Sequence, residues 1–126
     1  MITDNIQTTT PIYHFMPRIG DTAPEFTAVT TQGQIQFPQD FKGKWVILFS
    51  HPADFTPVCT TEFMGFAKAS GDFKALNCEL LGLSIDGVHA HIAWARSIKD
   101  NFGVEINFPI IADLNMAVAR SYGMVQ

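Results

Sequence analysis

The chain has 126 residues and a mass of 14.0 kDa, of which 47% are apolar and 16% charged, with eleven phenylalanines. That is the composition of one globular domain with a real core, and it excludes an intrinsically disordered segment. The formal net charge of -4, from eight Lys/Arg against twelve Asp/Glu with no basic run, argues against a nucleic-acid partner.

No apolar stretch approaches the ~18 residues of a membrane span. Met1-Ile2-Thr3-Asp4-Asn5 lacks the basic start and apolar segment of a signal peptide. Two cysteines, Cys59 and Cys78, are too few for a disulfide scaffold or a four-ligand zinc site. The expected address is therefore cytoplasmic, with both thiols free.

Residues 1–17 are polar and Thr-rich and read as an N-terminal arm, in which Ile12, Tyr13 and Phe15 suit packing on a neighbouring molecule. The folded domain is expected over residues 18–126. Gly20-Asp21-Thr22-Ala23-Pro24 is a loop, because Pro24 restricts Ala23 to extended shapes. Phe26–Thr30 and Gln34–Phe37 are β-like runs around Gln32-Gly33, a hairpin signal. Trp45-Val46-Ile47-Leu48-Phe49 is a continuous apolar run, which predicts a strand buried on both faces as in a parallel sheet. Leu80–Ile85 repeats that pattern. Between the two, Cys59, Phe63, Phe66, Ser70 and Phe73 recur at the spacing of one helical face.

Val88, Ile92, Ala95 and Phe102 mark the stripe of a second helix, with Trp94 read as packing. His89 and His91, two apart on that helix, point to different faces and cannot share a metal, so they are assigned solvated or capping roles. Pro109-Ile110-Ile111 offers a third short strand and Leu114–Tyr122 a last helix. The alternation predicts an α/β fold of βαβ type, with a mostly parallel central sheet flanked by helices.

The chemistry concentrates in Ser50–Glu62, where a strand ends, a Pro-punctuated loop follows and a helix starts. Ligands of open α/β sheets bind at such carboxyl ends of strands. Thr56 stands at the N-cap and Pro57 at N1, the helical position that welcomes proline. Cys59 is then N3, close to unsatisfied backbone N–H groups and the positive end of the helix dipole. Both favour the thiolate, which is the nucleophile. The competing role for Cys59 is structural, as the first residue of a core stripe. Thr56 takes the first place of a Cys-x-x-Cys spacing, so dithiol exchange within the motif is impossible and a lone thiol remains.

A helix dipole supplies ~0.3–1 kcal/mol, up to ~2. Bringing a thiol from ~8.5 to near 6 needs roughly 3.4 kcal/mol. Residues 50–62 contain no Lys or Arg, so a cation must arrive from elsewhere. A hydrolase triad of His51, Asp54 and Cys59 is disfavoured, because no Gly-x-Cys elbow follows the strand.

Pro52-x-x-x-Thr56-x-x-Cys59, continuing into Thr60-Thr61-Glu62-Phe63, resembles the active-site signature of the peroxiredoxins, the alkyl hydroperoxide reductase and thiol-specific antioxidant proteins. Their one-Cys and archaeal-like branch is the most similar. The similarity runs from about Met16 to Gln126 and includes Gly20-Asp21-x-Ala23-Pro24-x-Phe26, Leu81-Gly82-Leu83-Ser84-Ile85-Asp86 and Phe108-Pro109-Ile110-Ile111-x-Asp113. The resemblance implies a thioredoxin-like fold and a thiol-dependent peroxidase acting on hydrogen peroxide and organic hydroperoxides. Cys59 would be the peroxidatic cysteine, cycling through a sulfenic acid. Thr56 would hydrogen-bond the peroxide, Pro52 would shield the sulfur from water, and Glu62 would orient a catalytic arginine. Val58 and His51 would line the substrate pocket.

The same resemblance implies no metal, haem or flavin, and an external thiol reductant such as thioredoxin or glutathione. It implies a homodimer or ring of dimers, with no nucleic-acid or membrane partner. Cys78 matches a non-catalytic cysteine of the family. The family's active-site arginine lies two strands further on, and Arg120, in the preceding helix, does not match it. The expectation is a C-terminally truncated member with the last strands of the fold missing. Phe41-Lys42-Gly43-Lys44-Trp45 has no serine where some one-Cys relatives carry a lipase-like segment, so phospholipase activity is not implied. A second reading is a catalytically weak truncated thioredoxin-fold domain acting as an oxidant sensor or interaction module.

Overall fold

In the computed structural model, which describes residues 16–125, five strands form one sheet in the order β2-β1-β5-β4-β3. β1 (Phe26–Thr30) and β2 (Gly33–Phe37) make the predicted hairpin, with Phe26 stacked on Phe37 at 5.2 Å. The Thr30 hydroxyl closes the turn by donating to the Gly33 carbonyl, and Gly33 holds the positive φ that a side chain would disfavour. β3 (Trp45–Ser50) runs parallel to β4 (Cys78–Ser84), and β4 parallel to β5 (Ile110–Ala112). β5 meets β1 antiparallel, with Thr30 opposite Ile111. The three strands β3, β4 and β5 are parallel, as expected of the central sheet, and the sheet is mixed rather than wholly parallel because the N-terminal hairpin docks antiparallel on β5.

β4 lies between two cores, and its alternating side chains feed both. Leu80 joins Cys59, Phe63, Ala67, Trp94, Ile98, Phe108 and Ile110 on one face. Leu81 and Leu83 join Ile35, Ile111, Val118 and Ala119 on the other. Helices α1 (Pro57–Lys68) and α3 (Val88–Phe102) supply the first core, and α4 (Ala117–Ser121) the second. Full burial of a leucine such as Leu81 contributes ~1.5–3 kcal/mol. None of the described helices is long and apolar enough to cross a membrane.

Four expectations need correction. β3 is not buried on both faces: it is bonded to β4 alone at the sheet edge, and Trp45 is 77% exposed. Val46 and Leu48 reach one core and Phe49 the other, but no described residue covers the outer side of Trp45. The stripe from Cys59 to Phe73 is split, since α1 stops at Lys68 and a short α2 (Ser70–Ala75) carries Phe73. Ser70-Gly71-Asp72 are weak helix formers, and the break falls at Ala69, just before them.

The buried face of α3 is His91, Trp94 and Ile98, while Ile92 and Phe102 are exposed. The last helix is shorter than Leu114–Tyr122, because Leu114 and Asn115 form a turn. Buried Asp113 caps that helix, its two carboxylate oxygens accepting from the Val118 and Ala119 N–H groups. The Tyr122 hydroxyl donates to the Pro24 carbonyl at 2.6 Å and ties the first loop to the helix end. The arm residues Ile12, Tyr13 and Phe15 lie outside the described residues.

Candidate active site

β3 ends at Ser50, and the chain turns through residues 51–56 before α1 begins. The His51 N–H still bonds the Leu83 carbonyl at 2.9 Å, which keeps the first loop residue on the edge of β4. The Asp54 N–H donates to Asp86 Oδ2 at 2.7 Å and ties this loop to the one that follows β4. Phe55 then adopts φ 62, a left-handed backbone that costs a bulky residue ~1–2 kcal/mol. Thr56 and Pro57 take the N-cap and N1 positions, as their spacing predicts, and Cys59 is the third residue of α1. The Thr56 hydroxyl does not cap the helix, however. It donates back to the Ala53 carbonyl at 3.3 Å, a local bond that competes with capping.

Cys59 is 5% exposed and heads the buried stripe Cys59, Phe63, Ala67. It is thus both a core residue and a helix-start thiol. Cys78 is buried too, but it opens β4 opposite Trp45, at the other end of the parallel pair from the Ser50 end where Cys59 follows. Both cysteines are free. Pro52, Val58 and Glu62 are exposed, and Glu62 makes no ion pair among the described residues. His51 and Pro52 border a cleft of about 350 Å³ with Ile85 and Met124, whereas Val58 and Glu62 border a separate one of about 330 Å³. The predicted site residues therefore surround the turn without sharing one cavity. All eight Lys and Arg side chains are exposed, Arg120 among them.

His91 is the residue that sequence reasoning missed. It is 0% exposed, neither solvated nor capping, and its Nδ1 lies 2.6 Å from Asp54 Oδ2 while its Nε2 donates to the Ile111 carbonyl at 3.0 Å. The other oxygen of Asp54 meets His51 Nε2 at 2.6 Å. Burial pushes the Asp54 carboxyl up, but the hydrogen bonds and charge of His51 and His91 outweigh it and hold the group below the usual carboxylate range. His51 also packs against the rings of Phe63 at 4.8 Å and Trp94 at 5.0 Å, and its Nδ1 is buried with no partner. The available signal was positional: His91 precedes Trp94 by three and Ile98 by seven, which is the spacing of one buried face.

His51, Asp54 and His91 also offer metal-ligating atoms within 4.8 Å of one another, the one such group among the described residues. Each of the two imidazole nitrogens is already matched to its own carboxylate oxygen at hydrogen-bond distance. The arrangement is a hydrogen-bonded chain, and a metal ion would have to displace the protons in both bonds.

A mixed sheet flanked by helices, with a lone cysteine in the first turn of the helix after a parallel strand, defines a thioredoxin-like thiol domain. Residues 19–126 match the AhpC/TSA family, and the chain belongs to that family. It is 63% identical to a peroxiredoxin of Methanosarcina mazei over 117 residues, covering 88% of this chain and 53% of that one. It is 62% identical to a peroxiredoxin of Aquifex aeolicus over 110 residues, covering 87% and 50%. A solved yeast mitochondrial 1-Cys peroxiredoxin is similar with a TM-score of 0.82 at 48% identity, over 87% of this chain and 52% of its own. Peroxiredoxin 6 of Arenicola marina gives 0.79 at 40% identity, over 85% and 50%. The chain spans about half the length of the curated relatives it matches.

Proposed function

We propose that the chain reduces hydrogen peroxide and organic hydroperoxides through Cys59, as a thiol-dependent peroxidase. The observation that carries this reading is the place of Cys59: buried, and third in the helix that follows β3, in a chain of the AhpC/TSA family. The N–H groups of that first turn favour a sulfur anion, and burial limits competing water. The thiolate attacks one peroxide oxygen, so that an S–O bond forms as the O–O bond breaks. The departing oxygen takes up a proton and leaves as water or alcohol, and the sulfur is left as a sulfenic acid. An external thiol then forms a disulfide with the sulfur and releases water, and a second thiol restores Cys59. The yeast relative's structure concerns resolution by glutathione and thioredoxin systems, which supports a reductant of that class here.

Within this reading Thr56 turns its hydroxyl from Ala53 to the peroxide, and Pro52 shields the sulfur. Val58 and His51 border the clefts by which substrate approaches. Exposed Glu62 orients an arginine. Residues 18–126 form the catalytic domain, with residues 1–17 as an arm, and copies associate as a homodimer or ring of dimers. Two free thiols suit a cytoplasmic address.

The test is the second-order rate of oxidation of the reduced protein by hydrogen peroxide. The expected rate lies orders of magnitude above that of free cysteine, is abolished by Cys59→Ser and is kept by Cys78→Ser. A rate equal to that of free cysteine sinks the reading.

A further inference from the structure

We infer that His91 is a positioning residue: acting through Asp54, it holds His51 in the Nε2–H form and leaves His51 Nδ1 as a buried acceptor for an O–H or S–H donor. The use of that acceptor rests on the peroxidase reading, since His51 packs on Phe63, one helical turn after Cys59.

The geometry fixes the protons one by one. The Ile111 carbonyl can only accept, so Nε2 of His91 carries a hydrogen. Nδ1 of His91 faces Asp54 Oδ2 at 2.6 Å, so one proton lies in that bond, on either the imidazole or the carboxyl. Asp54 receives a second hydrogen bond from His51 on its other oxygen and one of its own backbone contacts is to the Asp86 carboxylate. Two donors on two oxygens favour the ionised carboxylate. The shared proton therefore belongs to His91, which becomes an imidazolium.

All the Lys and Arg side chains are exposed, so His91 is the buried cation that balances Asp54. With that charge balanced, His51 needs to give Asp54 one N–H, from Nε2. A second proton, on Nδ1, would be buried with nothing to accept it, because no described group partners that atom. The rings packed around His51 are those of Phe63, Trp94 and, at 5.9 Å, His91, whose two nitrogens are both committed elsewhere. His91 lies 37 residues from Asp54 in sequence, yet it decides whether Nδ1 of His51 stays without a proton.

The experiment is nitrogen NMR of the histidine rings in the reduced, full 126-residue chain near neutral pH, for the wild type, His91→Phe and Asp54→Asn. In the wild type both His91 nitrogens are expected in the N–H range, with His51 split into an Nε2–H and a lone-pair Nδ1. His91→Phe strips the carboxylate of its balancing charge, so His51 takes a second proton and the lone-pair signal disappears. Asp54→Asn removes the charge that keeps the second proton on His91, so His91 Nδ1 is bared to the amide N–H while the amide oxygen still accepts from His51 Nε2.

A wild-type His51 found as Nδ1–H, or a wild-type His91 with one bare nitrogen, overturns the inference without any variant having to fold. So does a folded His91→Phe variant whose His51 nitrogens are unmoved, which is what a packing role alone would give. The tautomer is read from nitrogen shifts and the peroxidase reading from the oxidation rate of Cys59, so failure of one is seen apart from failure of the other.

Discussion

Trp94 on α3 donates its indole N–H to the Thr60 hydroxyl at 3.0 Å, which couples the buried face of α3 to the residue that follows Cys59. Thr60→Val keeps the branched shape and removes the acceptor, leaving a largely buried N–H unpaired. The expected loss is on the order of 1–2 kcal/mol. The double variant with Trp94→Phe should cost no more than Trp94→Phe alone, because the bond is already absent. Denaturant unfolding of the four proteins closes the cycle, and additive losses would mean the bond contributes nothing.

Asp54 shapes the acid limb of stability. Its folded carboxyl is held below the unfolded value of about 3.9, so its contribution is present above that pH. It is lost as the pH falls through the folded value, where the carboxylate bridging His51 and His91 becomes protonated. Asp54→Asn should lower stability at neutral pH by about 3–5 kcal/mol, the cost of breaking a buried pair. It should also flatten the fall below about pH 4. Urea unfolding between neutral and acid pH compares the two slopes.

Tyr122 shapes the alkaline limb. Burial pushes its phenol up from 10 to about 12, so the unfolded chain ionises first as pH rises. Its contribution is whole below pH 10 and is lost between 10 and about 12. Tyr122→Phe should remove that alkaline decline relative to wild type. At neutral pH it should cost about 1 kcal/mol for the lost bond to Pro24. Unfolding free energies measured across that range settle the sign.

Gly82 on β4 leaves space that three rings already use. A Cβ there would lie 3.2 Å from Phe63, 3.5 Å from Phe49 and 3.6 Å from Phe108. Phe63 is fully buried between Phe49, Phe108, His51 and Trp94, so it has little room to give. Gly82→Ala is expected to destabilise by ~1–3 kcal/mol through overpacking. Thermal unfolding should show a midpoint several degrees lower, and an unchanged midpoint would mean the Phe63 ring yields freely.

What the sequence determined by itself is what short-range physics writes. The hairpin follows from two β-like runs around Gln32-Gly33, and the helix start from Thr56 at the N-cap and Pro57 at the first position, which puts Cys59 third. A resemblance carried by residues 52–63 reached the family because those positions are contiguous. Tertiary structure decided the rest. The sheet is mixed because β1 pairs with β5, joining Thr30 to Ile111 across most of the chain, and no local pattern encodes that choice. β3 reads as a buried strand because its apolar run serves two cores, yet its outer edge is open. The burial of His91 is not fully legible in the sequence, because nothing local shows that acceptors wait for both of its nitrogens. Those acceptors, Asp54 and Ile111, come from a loop and a strand that only the closed fold brings to α3.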